Sequence, residues 1–434
     1  MRVSLRLVAV AAALLLASGC SGSTDESLRV GIVTDCYGIF SSFAESTVAS
    51  ASLPLIERGA KVLGPRPSDG ISDVSVAGRN VELIAGCAEG TSPLLDEARR
   101  LVEENGVRVL LGPLTAENAL ALREYARRRP ETTFVMVPSP SQQLTLADPL
   151  PNVFRFSPDG AQTTAGLGAH AFNELGWRNA VIVADDLPYG WEQAAGFVAE
   201  FCALGGRIAQ RLWIPLGSDP AALTAQVPAG ADGVFAAGTV SPLLGFLEGY
   251  SRTHPDLSKR LVAGETLVLD SEIMAQLGSK LRGTVVGGAV PLEPTEQIEA
   301  YVGSFAKAFP SLPPESALVP IVFPYRDGVE AVLTALEQIE GDLADDGAGL
   351  RRALASVAVE SPVGRIRLDE NRQAVTPMFL SRLEPDSHGR VAPRAYRVLR
   401  NIDQSFGGYF GPDSPAPSRS SPDCHRGDTP AWAR

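Results

Sequence analysis

Five short loops hold the residues whose types and spacing allow chemistry. Gly112-Pro113-Leu114-Thr115-Ala116-Glu117 and Pro138-Ser139-Pro140-Ser141 offer hydroxyls, and the first leads into a helical stretch at 116–128. Backbone N–H groups at a helix N-terminus, with a hydroxyl nearby, hold a carboxylate without a full positive charge. The loops at 185–190 and 264–266 have the opposite character. Asp185, Asp186 and Glu265 suit an ammonium group, and Tyr189 adds an aromatic wall. The fifth loop is Gly238-Thr239-Val240-Ser241. A carboxylate on one set of loops and an amine on the other would clamp an amino acid. Closure would bury both charges with partners supplied, which limits the desolvation cost. Each residue also has a plainer role. Thr115 and Asp185 suit helix caps, Ser139 and Ser141 turns beside prolines, Tyr189 a packed surface ring, and Glu265 a solvated loop carboxylate.

The elements around these loops explain their placing. Apolar runs at 28–33, 81–85, 107–111, 132–137, 180–184, 207–213, 233–237 and 261–263 read as strands. Helical stretches lie between them. The stretch 42–63 is largely helical, with Pro54 a kink or break. Ser92 caps a helix with Pro93 in its first turn, and Asn105-Gly106 ends it. A further helix is expected over 161–175. Alternation of this kind means parallel sheets covered on both faces, and its restart after Pro151 means two α/β lobes. Ligands in such sheets bind beyond the carboxyl ends of the strands, where the five loops fall.

Other chemistry lacks its residues. There is no phosphate-binding loop of Walker type, no G-x-G-x-x-G after a strand and no G-x-S-x-G. His170, His254, His388 and His425 are scattered without metal-binding spacing. The sequence therefore predicts no catalytic set, no metal and no cofactor.

The ends bear on location. Arg2 and Arg6 precede an apolar run at 7–16, followed by Ala17-Ser18-Gly19-Cys20. That pattern reads as a secretory signal peptide over 1–19, too short for a mature membrane span. A cysteine directly after the cleavage point resembles a bacterial lipobox, which would make Cys20 a lipidated first residue. Residues 20–27 then form a polar tether. The mature chain would have about 415 residues, enough for two domains. Loss of Arg2 and Arg6 takes the formal charge from −12 to −14, which argues against nucleic acid as a partner. Cys36 and Cys87 each follow a strand-like run and would sit at one sheet end within bridging reach. That leaves Cys202 and Cys424, as a second bridge or as free thiols. Beyond about residue 405 the chain turns rich in Pro and Ser, and 406–434 reads as a mostly disordered tail.

At these loops the chain resembles the branched-chain amino-acid-type (Leu/Ile/Val-binding) substrate-binding lipoproteins of ABC transporters. The likeness covers about 28–399. It rests on the opening Leu28-Arg29-Val30-Gly31-Ile32-Val33, on Asn105-Gly106-Val107-Arg108-Val109-Leu110-Leu111-Gly112-Pro113, and on Val153-Phe154-Arg155-Phe156-Ser157-Pro158. It also rests on Asp185-Asp186-Leu187-Pro188-Tyr189-Gly190 and on Val363-Gly364-Arg365-Ile366-Arg367-Leu368-Asp369-Glu370-Asn371. The resemblance implies a type I periplasmic-binding-protein fold, two Rossmann-like lobes of parallel sheet flanked by helices and joined by a three-crossover hinge. Lobe 1 would take 28–152 and about 290–360, lobe 2 153–289 and about 361–405. It implies carboxylate contacts at Thr115, Ser139 and Ser141, an aromatic contact at Tyr189, an ammonium contact at Glu265 and a further site residue at Thr239. Tyr37, in an atypical loop after the first strand, remains in reach of the cleft. The partners implied are a small solute and an ABC permease, with the membrane reached through the lipid anchor. A ligand-sensing ectodomain that signals through a membrane partner is the alternative role for the same fold. The departures at Cys36 and Thr239 leave a branched-chain amino acid as one candidate ligand among several.

Overall fold

A computed structural model describes residues 27–238 and 243–433. The proposed signal peptide, Cys20 and Thr239 lie outside these residues. Two sheets organise the chain. The first has strands β1 (Leu28–Thr34), β2 (Val74–Val76), β3 (Arg79–Cys87), β4 (Val109–Leu111), β5 (Thr133–Val135) and β6 (Val153–Phe154) in the order β2-β3-β1-β4-β5-β6. All neighbours are parallel except β2 on β3. The second contains β7 (Asn179–Asp185), β8 (Arg207–Ile214), β9 (Gly233–Ala237), β10 (Leu261–Gly264) and β11 (Val285–Gly288), parallel in the order β11-β10-β9-β7-β8. It is extended antiparallel by β12 (Ala358–Ser361), β13 (Gly364–Leu368), β14 (Ala374–Pro385) and β15 (Val391–Ile402).

The inner parallel strands β4, β9, β10 and β11 are apolar throughout because helices cover both faces. On the first sheet, Val30, Ile32, Val109 and Val135 pack one way and Val33, Leu110 and Phe134 the other, all of them buried. The second sheet divides in the same manner, with Ile182, Phe235 and Val262 on one face and Val183, Val234 and Ala263 on the other. Helix Ala44–Glu57 continues through Pro54 instead of breaking there. Its residues 46–55 are all buried, and it packs along helix Phe323–Gln338.

The chain crosses between the lobes three times. The first crossing follows β6. The second follows β11, after which helix Glu296–Ala308 packs on helix Ala44–Glu57 in the first lobe. The third runs from helix Ala348–Ser356 into the β12–β13 hairpin, whose Val359 and Ile366 join the first core while β13 pairs with β14. The arrangement is that of a type I periplasmic-binding-protein fold.

Three expectations fail. Residues 161–175 form no single helix. A 3-10 turn at Gln162–Thr164 gives way to Leu167–Ala169 and a π turn at His170–Glu174. The break is at Gly166, which has φ +88°, and Leu380 and Leu399 press against its α-carbon so closely that a Cβ would lie 2.4 Å from Leu399. The helix expected from a Ser92 cap begins at Thr91 instead, with Gly90 at the cap position. Third, the described part of the tail, 406–433, is packed and not disordered. Its few aromatic residues suffice to anchor it. Phe406 stacks edge-on with Phe410 and Trp432, and Trp432 Nε1 donates to the buried Glu200 at 2.6 Å. Arg419 forms a two-pronged ion pair with Asp186.

Both cysteine pairs are bonded, Cys36 with Cys87 and Cys202 with Cys424. The second bridge joins the tail to helix Pro188–Ala203 across 222 residues of sequence. Replacing both Cys202 and Cys424 with Ser should lower the unfolding free energy by about 2–4 kcal/mol. Guanidinium denaturation measures this, and an unchanged midpoint would mean that the bridge adds no stability.

Candidate functional site

The carboxyl ends of the parallel strands in both sheets open onto one cleft. Two adjoining chambers occupy it. The inner one encloses about 60 Å³ and is lined by all three crossings, through Phe156 and Gly160, through Ala289 and Val290, and through Val363 and Ile366. The outer one encloses about 220 Å³ between Ile39, Phe40 and Leu114 of the first lobe and Leu187 and Leu216 of the second. Pro138, Pro140, Tyr189 and Ile321 line both, so the chambers adjoin across these four residues.

Glu265 follows β10 and lies at the inner chamber, 1% exposed. Its Oε2 accepts from the Val290 backbone N–H at 3.3 Å, while Oε1 has no hydrogen-bond partner. Burial pushes this carboxyl up to about 7, against the partial compensation of the backbone N–H groups of Val290 and Ala289. The close approach depends on Gly288, because a Cβ there would stand 1.8 Å from Oε2. Tyr189 follows β7 near the start of helix Pro188–Ala203 and faces both chambers. Enclosure first, and the Glu265 charge second, raise its phenol pKa, while a hydrogen bond with Thr163 opposes them.

The hydroxyl residues of the first lobe behave differently. Thr115 lines the outer chamber, and its Oγ1 caps helix Ala116–Ala126 by accepting from Asn118 N–H at 3.3 Å. Ser139 and Ser141 are buried and line neither chamber. Ser139 Oγ donates to the Thr115 carbonyl at 3.4 Å, and Ser141 Oγ accepts from Gln143 N–H at 3.3 Å. Alternate residues of an extended segment face opposite ways, so Pro138 and Pro140 take the cleft side. The carboxylate contacts expected of Ser139 and Ser141 are therefore not formed by their side chains as placed.

Three other candidates are also displaced. Tyr37 is 64% exposed and outside the lining, whereas its neighbours Ile39 and Phe40 contribute to it. Asp186 is occupied by Arg419 and by Trp191 Nε1 at 3.2 Å. Asp185 is fully buried behind the cleft against Gly238, and Leu187, not Asp185, stands at the cap of helix Pro188–Ala203.

Sequence reasoning quoted parts of the first and third crossings as family motifs but named none of their residues as site residues. Phe156, Asp159 and Thr163 come from the first, Val290 from the second, and Pro320, Ile321 and Phe323 from the approach to helix Phe323–Gln338. The apolar run Val319-Pro320-Ile321-Val322-Phe323-Pro324 was an available signal. Asp159 and Asp327 also line the inner chamber and are each paired with an arginine, although Asp159 Oδ2 has no hydrogen-bond partner. Asp159 Oδ1 accepts from Gln162 N–H at 2.7 Å, with Arg155 3.7 Å from Oδ2. Asp327 pairs with Arg326 and with Ser361 Oγ, each at 2.8 Å. Behind the loops, Glu192 Oε1 accepts from Gln142 N–H at 3.0 Å, joining the second lobe to the first.

Residues 27–389 match the model of a family described as periplasmic binding protein. The chain belongs to this family. This periplasmic binding protein is accordingly a solute-binding protein and not an enzyme. Among solved structures, an ABC transporter substrate-binding protein from Sphaerobacter thermophilus is 25% identical, with a TM-score of 0.74 over 87% of this chain and 99% of that one. The solute binding protein of an ABC transporter from Rhodopseudomonas palustris BisB5, in complex with 3,4-dihydroxybenzoic acid, is 20% identical with a TM-score of 0.70, covering 87% and 98%. The leucine-, isoleucine-, valine-, threonine- and alanine-binding protein from Brucella ovis is 16% identical with a TM-score of 0.69, covering 87% and 97%. These last two likenesses concern the fold. A search of curated proteins found no match.

Glu265 should make the empty protein less stable as pH rises. Its folded pKa of about 7 exceeds the ordinary value of 4.5. Its contribution is therefore fully present below about 4.5 and lost as pH rises through about 7. Glu265→Gln should melt higher than the parent at pH 8, by up to about 3 kcal/mol in stability, with the gap shrinking towards pH 5. Thermal unfolding at both pH values checks this, and a variant that melts lower at pH 8 contradicts it.

Proposed function

We propose that this protein is the extracytoplasmic receptor of an ABC importer and binds a small amine-bearing solute, an amino acid or a related compound, between its lobes. The observation that carries the reading is Glu265. Its carboxylate is buried at a chamber between two hinged lobes, and one oxygen has no hydrogen-bond partner. Such an acceptor is costly unless something fills it. An ammonium group is the natural occupant, because it supplies donors and neutralises the charge. Tyr189 stands beside it as the aromatic contact, and the Thr115 region forms the opposite rim. In this reading Ser139 and Ser141 hold their loop in place and do not touch the solute. Closure follows from contacts to both lobes at once. The ABC transporter and solute-binding names of the similar structures support the transport role.

Calorimetry across a panel of amino acids, amides, amines and small aromatic acids tests the proposal. An amine-bearing ligand should bind, and small-angle scattering should show the lobes drawing together. Glu265→Gln should weaken that ligand by about 100-fold or more, since a buried ammonium loses its counter-charge. Binding confined to compounds without an amine would remove Glu265 from the role.

Attachment to the cell membrane through lipidated Cys20, after cleavage of residues 1–19, completes the proposal. The support is the apolar run at 7–16 leading to Ala17-Ser18-Gly19-Cys20. Cys20→Ser should move the protein from the membrane fraction to the soluble one on cell fractionation. Retention in the membrane would contradict lipidation at this residue.

A further inference from the structure

The two chambers differ in size and chemistry, and together they describe more of the ligand than its amine. The inner chamber's 60 Å³ gives room for an ammonium head and a carbon or two, given that one water needs about 10–15 Å³ by the same measure. The outer chamber's 220 Å³ exceeds the roughly 150 Å³ of an apolar cavity known to take up benzene. Its walls are Ile39, Phe40 and Leu114 from one lobe, Leu187 and Leu216 from the other, and Ile321 between them. Ile39 is 60% exposed and Leu216 56% exposed, so two large apolar side chains from facing lobes stand open to water at the mouth. An apolar group placed between them removes both from water.

The charges in the lining have one sign. Glu265, Asp159 and Asp327 line the inner chamber and Glu117 the outer, and among the described residues no Arg, Lys or His lines either. Residues 239–242 add no charged side chain. Arg155 and Arg326 stand behind the lining and are held by Asp159 and Asp327, so a carboxylate in this space would be stripped of water beside Glu265 and Glu117 with no free cation in the lining to meet it. The N-terminus of helix Ala116–Ala126 offers little relief. Thr115 Oγ1 already satisfies Asn118 N–H, and Glu117 supplies negative charge to the same turn.

We infer that the ligand is a monoamine with an aromatic or branched apolar body of ring size or larger and no carboxylate, its head at Glu265 and its body in the outer chamber. This rests on the amine-binding reading above and narrows it.

The test compares amines with their parent amino acids, which differ only by the carboxylate. Calorimetry at pH 8 uses 2-phenylethylamine, tryptamine and isoamylamine against phenylalanine, tryptophan and leucine, with 3-phenylpropionate as the acid lacking an amine. At least one amine should bind tenfold or more tightly than its parent, and 3-phenylpropionate should not bind. Ile39→Ser combined with Leu216→Ser should weaken that amine at least fivefold with an unchanged melting temperature, since both positions are mostly exposed. Amino acids binding as tightly as their amines would overturn the inference and leave the amine receptor standing. Failure of every amine and every amino acid would overturn both. An unchanged affinity in the double variant would overturn the placing of the apolar body.

Discussion

Arg155 is completely buried, and the cleft is assembled around it. It lies on the first crossing between the lobes. Its guanidinium donates to the carbonyls of Ser139 and Ser141, to Thr145 Oγ1 at 3.0 Å and to Gln373 Oε1. Gln373, on the third crossing, passes the connection on through Nε2 to the Ser157 carbonyl at 2.9 Å and to Gln162 at 2.8 Å. One cation thus fixes a cleft loop of the first lobe and ties two of the three crossings together. Burial lowers the pKa of Arg155, but a guanidinium remains charged, so every carbonyl near it is drawn inwards. The loop 138–141 consequently presents its prolines to the ligand space and its carbonyls to the arginine. The apolar contribution of this loop to the cleft follows from that choice of facing.

The same facing explains what could and could not be read from the sequence. The parallel strands were legible because a strand covered on both faces is apolar at every position, as β7 is from Ala180 to Ala184. The loops that end those strands were legible in turn, because topology alone places them at the cleft. Which side of a loop faces inwards was not legible. Hydroxyls draw the eye as ligand contacts, yet Ser139 and Ser141 are used to hold the loop. Arg155, the residue that decides the matter, was legible only as part of a family motif. Thr115 was open between capping and binding, and it caps. The hinge residues at the floor of the cleft were missed because crossings have no periodicity of their own.

The tail shows a related limit. Its composition is that of a disordered segment, rich in proline and serine. Composition measures average burial, and a segment of 28 described residues needs only a few good anchors on a surface that already exists. Phe406, Phe410 and Trp432 provide an aromatic cluster, Cys424 a covalent bond, and Arg419 an ion pair. Arg211 and Trp213 of β8 donate to the tail's carbonyls at Pro422 and Arg419. β8 pairs only with β7 within its sheet, so the tail also covers what would otherwise be an open edge. Arg419 has a second consequence, since its ion pair neutralises Asp186 beside the cleft loop.

Glu265 itself is a local defect that the rest of the fold supports. A buried carboxylate with one oxygen unpaired works against folding, and an uncharged side chain there would serve stability better. Gly288 has given up its side chain to let β11 approach that carboxylate, and Val290 gives it one backbone donor. The backbone thus supplies part of the solvation and leaves the rest open. A fully satisfied carboxylate would bind no solute, and an entirely unsatisfied one would take up a proton at neutral pH. The half-satisfied state, with a pKa of about 7, leaves the group divided between its two forms near neutral pH, and a cationic partner that brings its own donors would draw it to the ionised one. That condition suits a receptor, because the free energy withheld from the empty cleft is released only when a ligand closes it.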